Sequence, residues 1–397
     1  MHVLMQNLSL TDKFKALDQW LTATQPLWQV ATFAQTHWPW QHDYPKLVAY
    51  LKQHDDLPLE DVLSDIEKVL IEHVDGFQPA PFISLNELEA SQKRELPSYF
   101  KSGIKGRKWA QIESFSKLVP IADSTLEWCA GKGHLGKAIA YRTPTRVVSL
   151  EWQQALCDAG EQDAQKLALN QTFVCADVLK GEANDALQQV KSAVALHACG
   201  DLHRILIEQS LANQLDAVTL SPCCYHLTQE DTYTPLSKTA QQSTLKLSKH
   251  DLRLAVKEIA TAGKREQKQR DRELTYRLGF DAWQRQHRQI DEYLPVSKAP
   301  DAIMKQGFDA YCQWAATQKQ LTLHSLESFS EYEQIGDIRK RRVLKVEAIT
   351  QYFRRPLELW LVLDRALRLE ESGYRVEIGE FCDKSITPRN LLIRATK

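Results

Sequence analysis

Hydrophobic positions along the chain change their period near residue 124. Before about residue 100 they recur every three or four residues, in Asp12–Ala34, Pro45–Leu57 and Leu59–Val74, with breaks at Pro26, Pro39 and Pro45. That spacing predicts helices and no strand. From Ser124 onward, runs of strand length rich in Val, Leu and Thr alternate with amphipathic helix-length segments: Thr125–Ala130, Thr145–Trp152, Gln171–Val178, Ser192–Cys199 and Leu215–His226. Strand and helix in alternation are βαβ units and predict a parallel sheet. After Tyr225 the regularity stops for about a hundred residues, and Leu247–Ile290 reads as charged helix. A helix resumes at Pro356, with the stripe Leu357, Trp360, Leu361, Asp364 and Leu367 and a stop at Gly373. Two strands, Tyr374–Cys382 and Asn390–Thr396, close the chain.

Five alternating strands, a helical insertion, one helix and a terminal hairpin predict an α/β fold of the class I (Rossmann-like) S-adenosylmethionine methyltransferase type. Its sheet is expected to have seven mostly parallel strands. On this reading residues 1–100 form a helical accessory domain, residues 101–397 the methyltransferase domain, and residues 227–350 a basic helical insertion after the fifth strand. Trp20, Trp28, Trp38 and Trp40 fall in the first part, where helical spacing assigns them to a core and a base-stacking surface is the alternative.

Composition narrows the picture in three ways. The chain has 397 residues, more than one hydrophobic core organises, so two or three units are expected. Lys and Arg total 50 against 51 Asp and Glu, so any charged partner must be met by a local patch. Eight cysteines without a regular framework, several in strand segments, read as reduced thiols. The start Met1–Phe14 carries neither a basic leader nor a long apolar run, which predicts a cytoplasmic protein with no membrane association.

The sharpest motif is LEWCAGKGHLGKAIA, residues 126–140. A glycine turn between strand and helix lets a ligand approach the backbone and aims helix amides at it. Gly131 and Gly133 make the turn. Acids at successive strand ends add to it: Glu127 facing the methionine end of the cofactor, Glu151 accepting from the ribose hydroxyls with Trp152 against adenine, and Asp177 accepting from the adenine amino group. A dinucleotide-binding dehydrogenase is the competing reading. It is opposed by Cys129, which stands where the first glycine of G-x-G-x-x-G would be.

The segments GRKWAQIESF, LEWCAGKGHLG, LHACGDL and SPCCYHL, with the terminal GEFCDKSITPRNLLI, resemble a family of methyltransferase-like proteins. That family includes tRNA 2′-O-methyltransferases acting on the acceptor stem and animal proteins with glutathione-transferase-like regions. The resemblance covers roughly residues 100–226 and 355–397, and the family's zinc-finger modules are absent. It implies an enzyme, S-adenosylmethionine as cofactor, and RNA as a partner.

In this fold the methyl group lies above the carboxyl ends of the first and fourth strands. His197, Asp201, Tyr225 and His226 are therefore the candidate catalytic residues. His197, which also borders the cofactor, or His226 would take a proton, and Asp201 would orient either or cap the following helix. Cys199, Cys223 and Cys224 share this neighbourhood. Their spacing is not C-x-x-C, and adjacent cysteines rarely both reach one ion, so no metal is expected. On the substrate side, Lys264, Arg265, Lys268 and Arg270 of the insertion would grip RNA phosphates, and interleaved acids keep a merely solvated helix open. A methyltransferase acting on a protein or small molecule, with the insertion as lid, and a catalytically degenerate binding module are the alternatives.

Overall fold

In the computed structural model the described residues are 8–54, 65–92, 94–257, 264–322 and 329–397. They divide into two units. The first comprises residues 1–22, 80–257 and 354–397, and the second residues 23–79 and 258–353.

The first unit is built on seven strands: β1 (Ser124–Trp128), β2 (Arg146–Glu151), β3 (Gln171–Cys175), β4 (Ser192–Cys199), β5 (Ala217–Cys223), β6 (Arg375–Glu380) and β7 (Leu391–Thr396). Their order across the sheet is β3-β2-β1-β4-β5-β7-β6. The first five pair in parallel, and β7 runs antiparallel to both β5 and β6. This is the sheet the alternation predicts. Central strands covered on both faces read as continuous apolar runs, and β5 is buried at every position.

The longer helices of this unit, among the described residues, are α1 (Leu10–Ala23), α2 (Gly106–Leu118), α3 (His134–Arg142), α4 (Gln154–Lys166), α5 (Asp201–Ala212) and α6 (Arg354–Glu370). The placement of α1 differs from the expected 1–100 domain. Phe14 of α1 lies 5.1 Å from the Trp360 ring of α6, and Trp360 Nε1 donates to Asp18 at 2.8 Å. The apolar face of α1 is therefore committed to the sheet unit.

In the second unit the helices Lys264–Arg288 and Ser330–Gln351 cross at paired glycines. A Cβ on Gly336 would stand 2.3 Å from the Thr275 carbonyl oxygen, and one on Gly279 would stand 2.6 Å from that of Tyr332. Tyr276, Phe280, Trp283, Phe308, Tyr311 and Phe329 fill the adjoining core. Of the early tryptophans, Trp28 and Trp40 are buried and Trp20 and Trp38 half-buried. Among the described residues no helix is long and apolar enough to cross a membrane.

Candidate cofactor and methyl-transfer site

The turn after β1 is built from left-handed residues. Cys129, Gly131 and Gly133 have φ of 54°, 58° and 67°. A Cβ on Gly131 would meet nothing, so its requirement is conformational. A Cβ on Gly133 would fall 2.3 Å from the Phe173 ring. Gly136, inside α3, lets the helix settle on a buried polar network. A Cβ there would lie 2.4 Å from Glu127 Oε2.

That network fixes Glu127. Ser149 Oγ donates to Glu127 Oε2 at 2.7 Å, and Gln171 Nε2 donates to Ser149 Oγ at 2.8 Å and to the Gly133 carbonyl at 2.9 Å. Burial pushes the Glu127 carboxyl up to about 7, against the opposing pull of Ser149 and of the Gly136 and Leu135 amides. Glu127 also lines a cavity of about 140 Å³ with Lys108, Cys129, Gly131, His134 and Leu196.

Glu151 ends β2 and ties it to the turn. Its Oε2 accepts from Gly131 N at 2.9 Å and its Oε1 from Gln153 N at 3.1 Å. A carboxylate has about four acceptor positions, so these bonds leave room for two hydroxyls. Trp152 beside it is 66% exposed, an open aromatic face at the edge of the site. Asp177 caps the short turn Val178–Lys180 by accepting from Leu179 N at 3.0 Å. The donor set fits S-adenosylmethionine: an acid in a small cavity for the amino-acid end, paired carboxylate oxygens for a diol, and an exposed indole for a purine. Glu127, Glu151 and Trp152 would hold it, with Asp177 beyond them.

At the far end of β4 the ladder slips. The register with β5 shifts between Leu196 and Cys199, and His197 takes φ 63°. Its Nε2 hydrogen-bonds Gln111 Oε1, which can only accept, so Nε2 carries the proton and Nδ1 keeps a lone pair. Burial, then Arg389, lowers His197 to about 4, so the ring is neutral at physiological pH.

Two expected catalytic residues are withdrawn on geometric grounds. Tyr225 is buried, donates its hydroxyl to the Pro222 carbonyl at 3.3 Å and lies under the Arg365 guanidinium. Asp201 accepts from Gln229 N at 2.9 Å and lies 3.7 Å from Arg204, so it pins the loop after β5 to the start of α5. His226 is half-buried, with Nδ1 buried and unpartnered. The three thiols of Cys199, Cys223 and Cys224 all come within 4.8 Å of one another. The residues that spacing could not single out are Lys108, Gln111 and His134. The first two lie in GRKWAQIESF, whose only signal was its place in the resemblance.

Of the four residues expected to grip phosphates, two are described to the side chain. The side chains of Lys264 and Arg265 lie outside the described residues. Lys268 is exposed, and Arg270 lies 3.7 Å from the buried Glu347. In the RKRR run, Arg339 pairs with Asp281 at 2.8 Å, and Lys340 and Arg341 share Asp337.

A sheet in this order, with a glycine turn after its first strand and an acid at the end of its second, has the topology of the class I methyltransferase fold. Residues 107–231 match the family model described as a methyltransferase domain. A glutathione S-transferase C-terminal domain-containing protein of Xenopus laevis is 26% identical over 131 residues, which are 32% of this chain and 20% of that protein. The chain thus spans about a fifth of that relative's length. Among solved structures, an rRNA methylase from Streptococcus thermophilus is 13% identical, covering 30% of this chain and 74% of its own, at a TM-score of 0.23. A geranyl diphosphate C-methyltransferase from Streptomyces coelicolor A3(2) is 17% identical, covering 45% and 66%, at a TM-score of 0.25. At these scores neither adds to what the strand order shows.

Proposed function

We propose that the chain is an S-adenosylmethionine-dependent methyltransferase whose acceptor is an RNA. The cofactor, when bound, supplies a methyl group activated on a sulfonium. The chain's part is to align the acceptor and hold its proton. A neutral His197, with Nε2–H held by Gln111, presents Nδ1 to a hydroxyl or amine.

The observation that carries the RNA reading is a run of exposed cations that leads along the chain to Lys108, which lines the cofactor cavity. Lys101, Lys105, Arg107, Lys108 and Lys132 are all exposed, and among the described residues none has an ion-pair or side-chain hydrogen-bond partner. Lys108 lines the cavity, and Lys132 stands between the two glycines of the turn. Tyr99 on the same segment is 57% exposed and available for stacking. Of the insertion's described cations, Lys249, Arg270, Arg277, Arg285, Arg339, Lys340 and Arg341 pair with neighbouring acids.

Replacing Lys101, Lys105 and Arg107 together by alanine is expected to weaken binding of cellular RNA and to flatten its salt dependence. Each lost phosphate contact removes about 0.7 to 0.9 from the slope of log affinity against log salt. Cofactor affinity should stay unchanged. The same affinity and slope in the triple variant would make a protein or small-molecule acceptor the better reading.

A further inference from the structure

Cys199 and Cys223 end two neighbouring strands and Cys224 follows the second, and two departures from regular backbone bring them together. In a regular strand, Cys223 and Cys224 would point to opposite faces. Cys224 instead takes φ 49°, a left-handed conformation that breaks the alternation. On β4 the register slip after Leu196 sets Cys199 opposite Cys223, with their sulfurs 3.7 Å apart. Left-handed residues other than glycine cost on the order of 1 kcal/mol each and collect at functional sites. Here His197 and Cys224 both adopt that conformation around one cluster of thiols.

The geometry suits a metal. In a tetrahedral thiolate site with metal–sulfur bonds of about 2.3 Å, the sulfurs are about 3.8 Å apart. The three sulfurs here all lie within 4.8 Å of one another, and the closest pair already matches that edge. His226, two residues on, lies outside that group as it stands, and its side chain would have to turn to supply a fourth donor. His226 Nδ1 is buried and has no hydrogen-bond partner, a condition that burial makes costly unless something fills it. Among the described residues, the other buried cysteines, Cys157 and Cys312, belong to no such group.

We propose that Cys199, Cys223, Cys224 and His226 form a site for a soft divalent ion of the zinc type. The ion replaces the thiol protons, which are released to solvent, and cross-links the carboxyl ends of β4 and β5. It thereby holds the loop bearing His226 beside the strand end that carries His197. The spacing argument against a metal fails because Cys199 lies on a neighbouring strand and the conformation of Cys224 is invisible in sequence.

The test uses the full chain, stripped with a chelator under reducing conditions and checked for its fold by circular dichroism, then titrated with cobalt(II). The expected result is a thiolate-to-cobalt charge-transfer band with tetrahedral ligand-field bands, saturating at about one equivalent per chain and reversed by zinc. Proton release should accompany binding. Cys199→Ser, Cys223→Ser and Cys224→Ser should each loosen binding by about tenfold or more, while Cys312→Ser leaves it unchanged. His226→Ala should shift the ligand-field bands. A folded wild-type chain with no charge-transfer band in excess cobalt would overturn the proposal. So would a band that persists at full intensity in Cys224→Ser, and an unaltered spectrum in His226→Ala would remove His226 from the ligand set.

Discussion

Cys129 holds a left-handed conformation at φ 54° in a turn whose other two left-handed positions are glycine. The penalty for a side chain there is on the order of 1 to 2 kcal/mol, and glycine's greater unfolded-state freedom returns about 0.5 to 1 kcal/mol of it. Cys129→Gly is therefore expected to be neutral or stabilising by up to about 1 kcal/mol in urea unfolding. A clear loss of stability would mean the thiol, which burial and Glu151 push up to about 12, holds a contact that its conformation does not reveal.

Glu127 makes a pH prediction at the same scale. Its folded value of about 7 exceeds the ordinary 4.5, so the native state binds its proton more tightly than the unfolded chain does. Its contribution to stability is full below about 4.5, falls as pH rises toward about 7 and is flat above that. Cofactor affinity should run the other way, rising through pH 7 as the carboxylate forms opposite the cofactor's ammonium group. Glu127→Gln should flatten both profiles. A parent protein whose affinity does not vary between pH 6 and 8 would contradict this role.

At the scale of elements, one polar residue on an apolar stripe repays attention. Asp364 of α6 is fully buried and accepts from Leu236 N at 2.9 Å, from Ser237 N and Ser237 Oγ at 2.8 Å each, and from the Tyr233 hydroxyl. It holds the segment after β5 against the helix. Asp364→Ala would strand these donors in the interior and is expected to cost about 3 to 5 kcal/mol in equilibrium unfolding. A cost under about 1 kcal/mol would show that water reaches them. The sequence placed Asp364 within an apolar stripe but gave no hint of its partners, which lie about 130 positions earlier. The strands were legible because parallel strands buried on both faces read as continuous apolar runs, and Glu127 and Glu151 were legible because they belong to those strands. The slip in β4 and the turned residue Cys224 were not, because backbone conformation at a non-glycine residue leaves no sequence mark. For the same reason Tyr225 looked like part of the reacting surface when its ring points into the core.

For the whole molecule, periodicity located helices but not their partners. The chain from 23 to 79 joins residues 258–353 in one unit, and α1 joins the sheet. Contacts between segments hundreds of residues apart cannot be read from local spacing, so the expected boundary at residue 100 fell in the wrong place. Part of the insertion's charge is committed within its own unit, which local spacing does not reveal. Arg285, Arg339 and Asp281 form one ion cluster although Arg339 is 58 positions away from Asp281. The sheet unit is expected to hold S-adenosylmethionine with the acid at the end of β2. Isothermal titration of the full chain with S-adenosylmethionine tests it most directly. Saturable binding by the parent is expected, with a loss of about 1.5 to 3 kcal/mol in folded Glu151→Ala, the worth of hydrogen bonds to a charged group. No binding by the parent, or unchanged affinity in the variant, would contradict it.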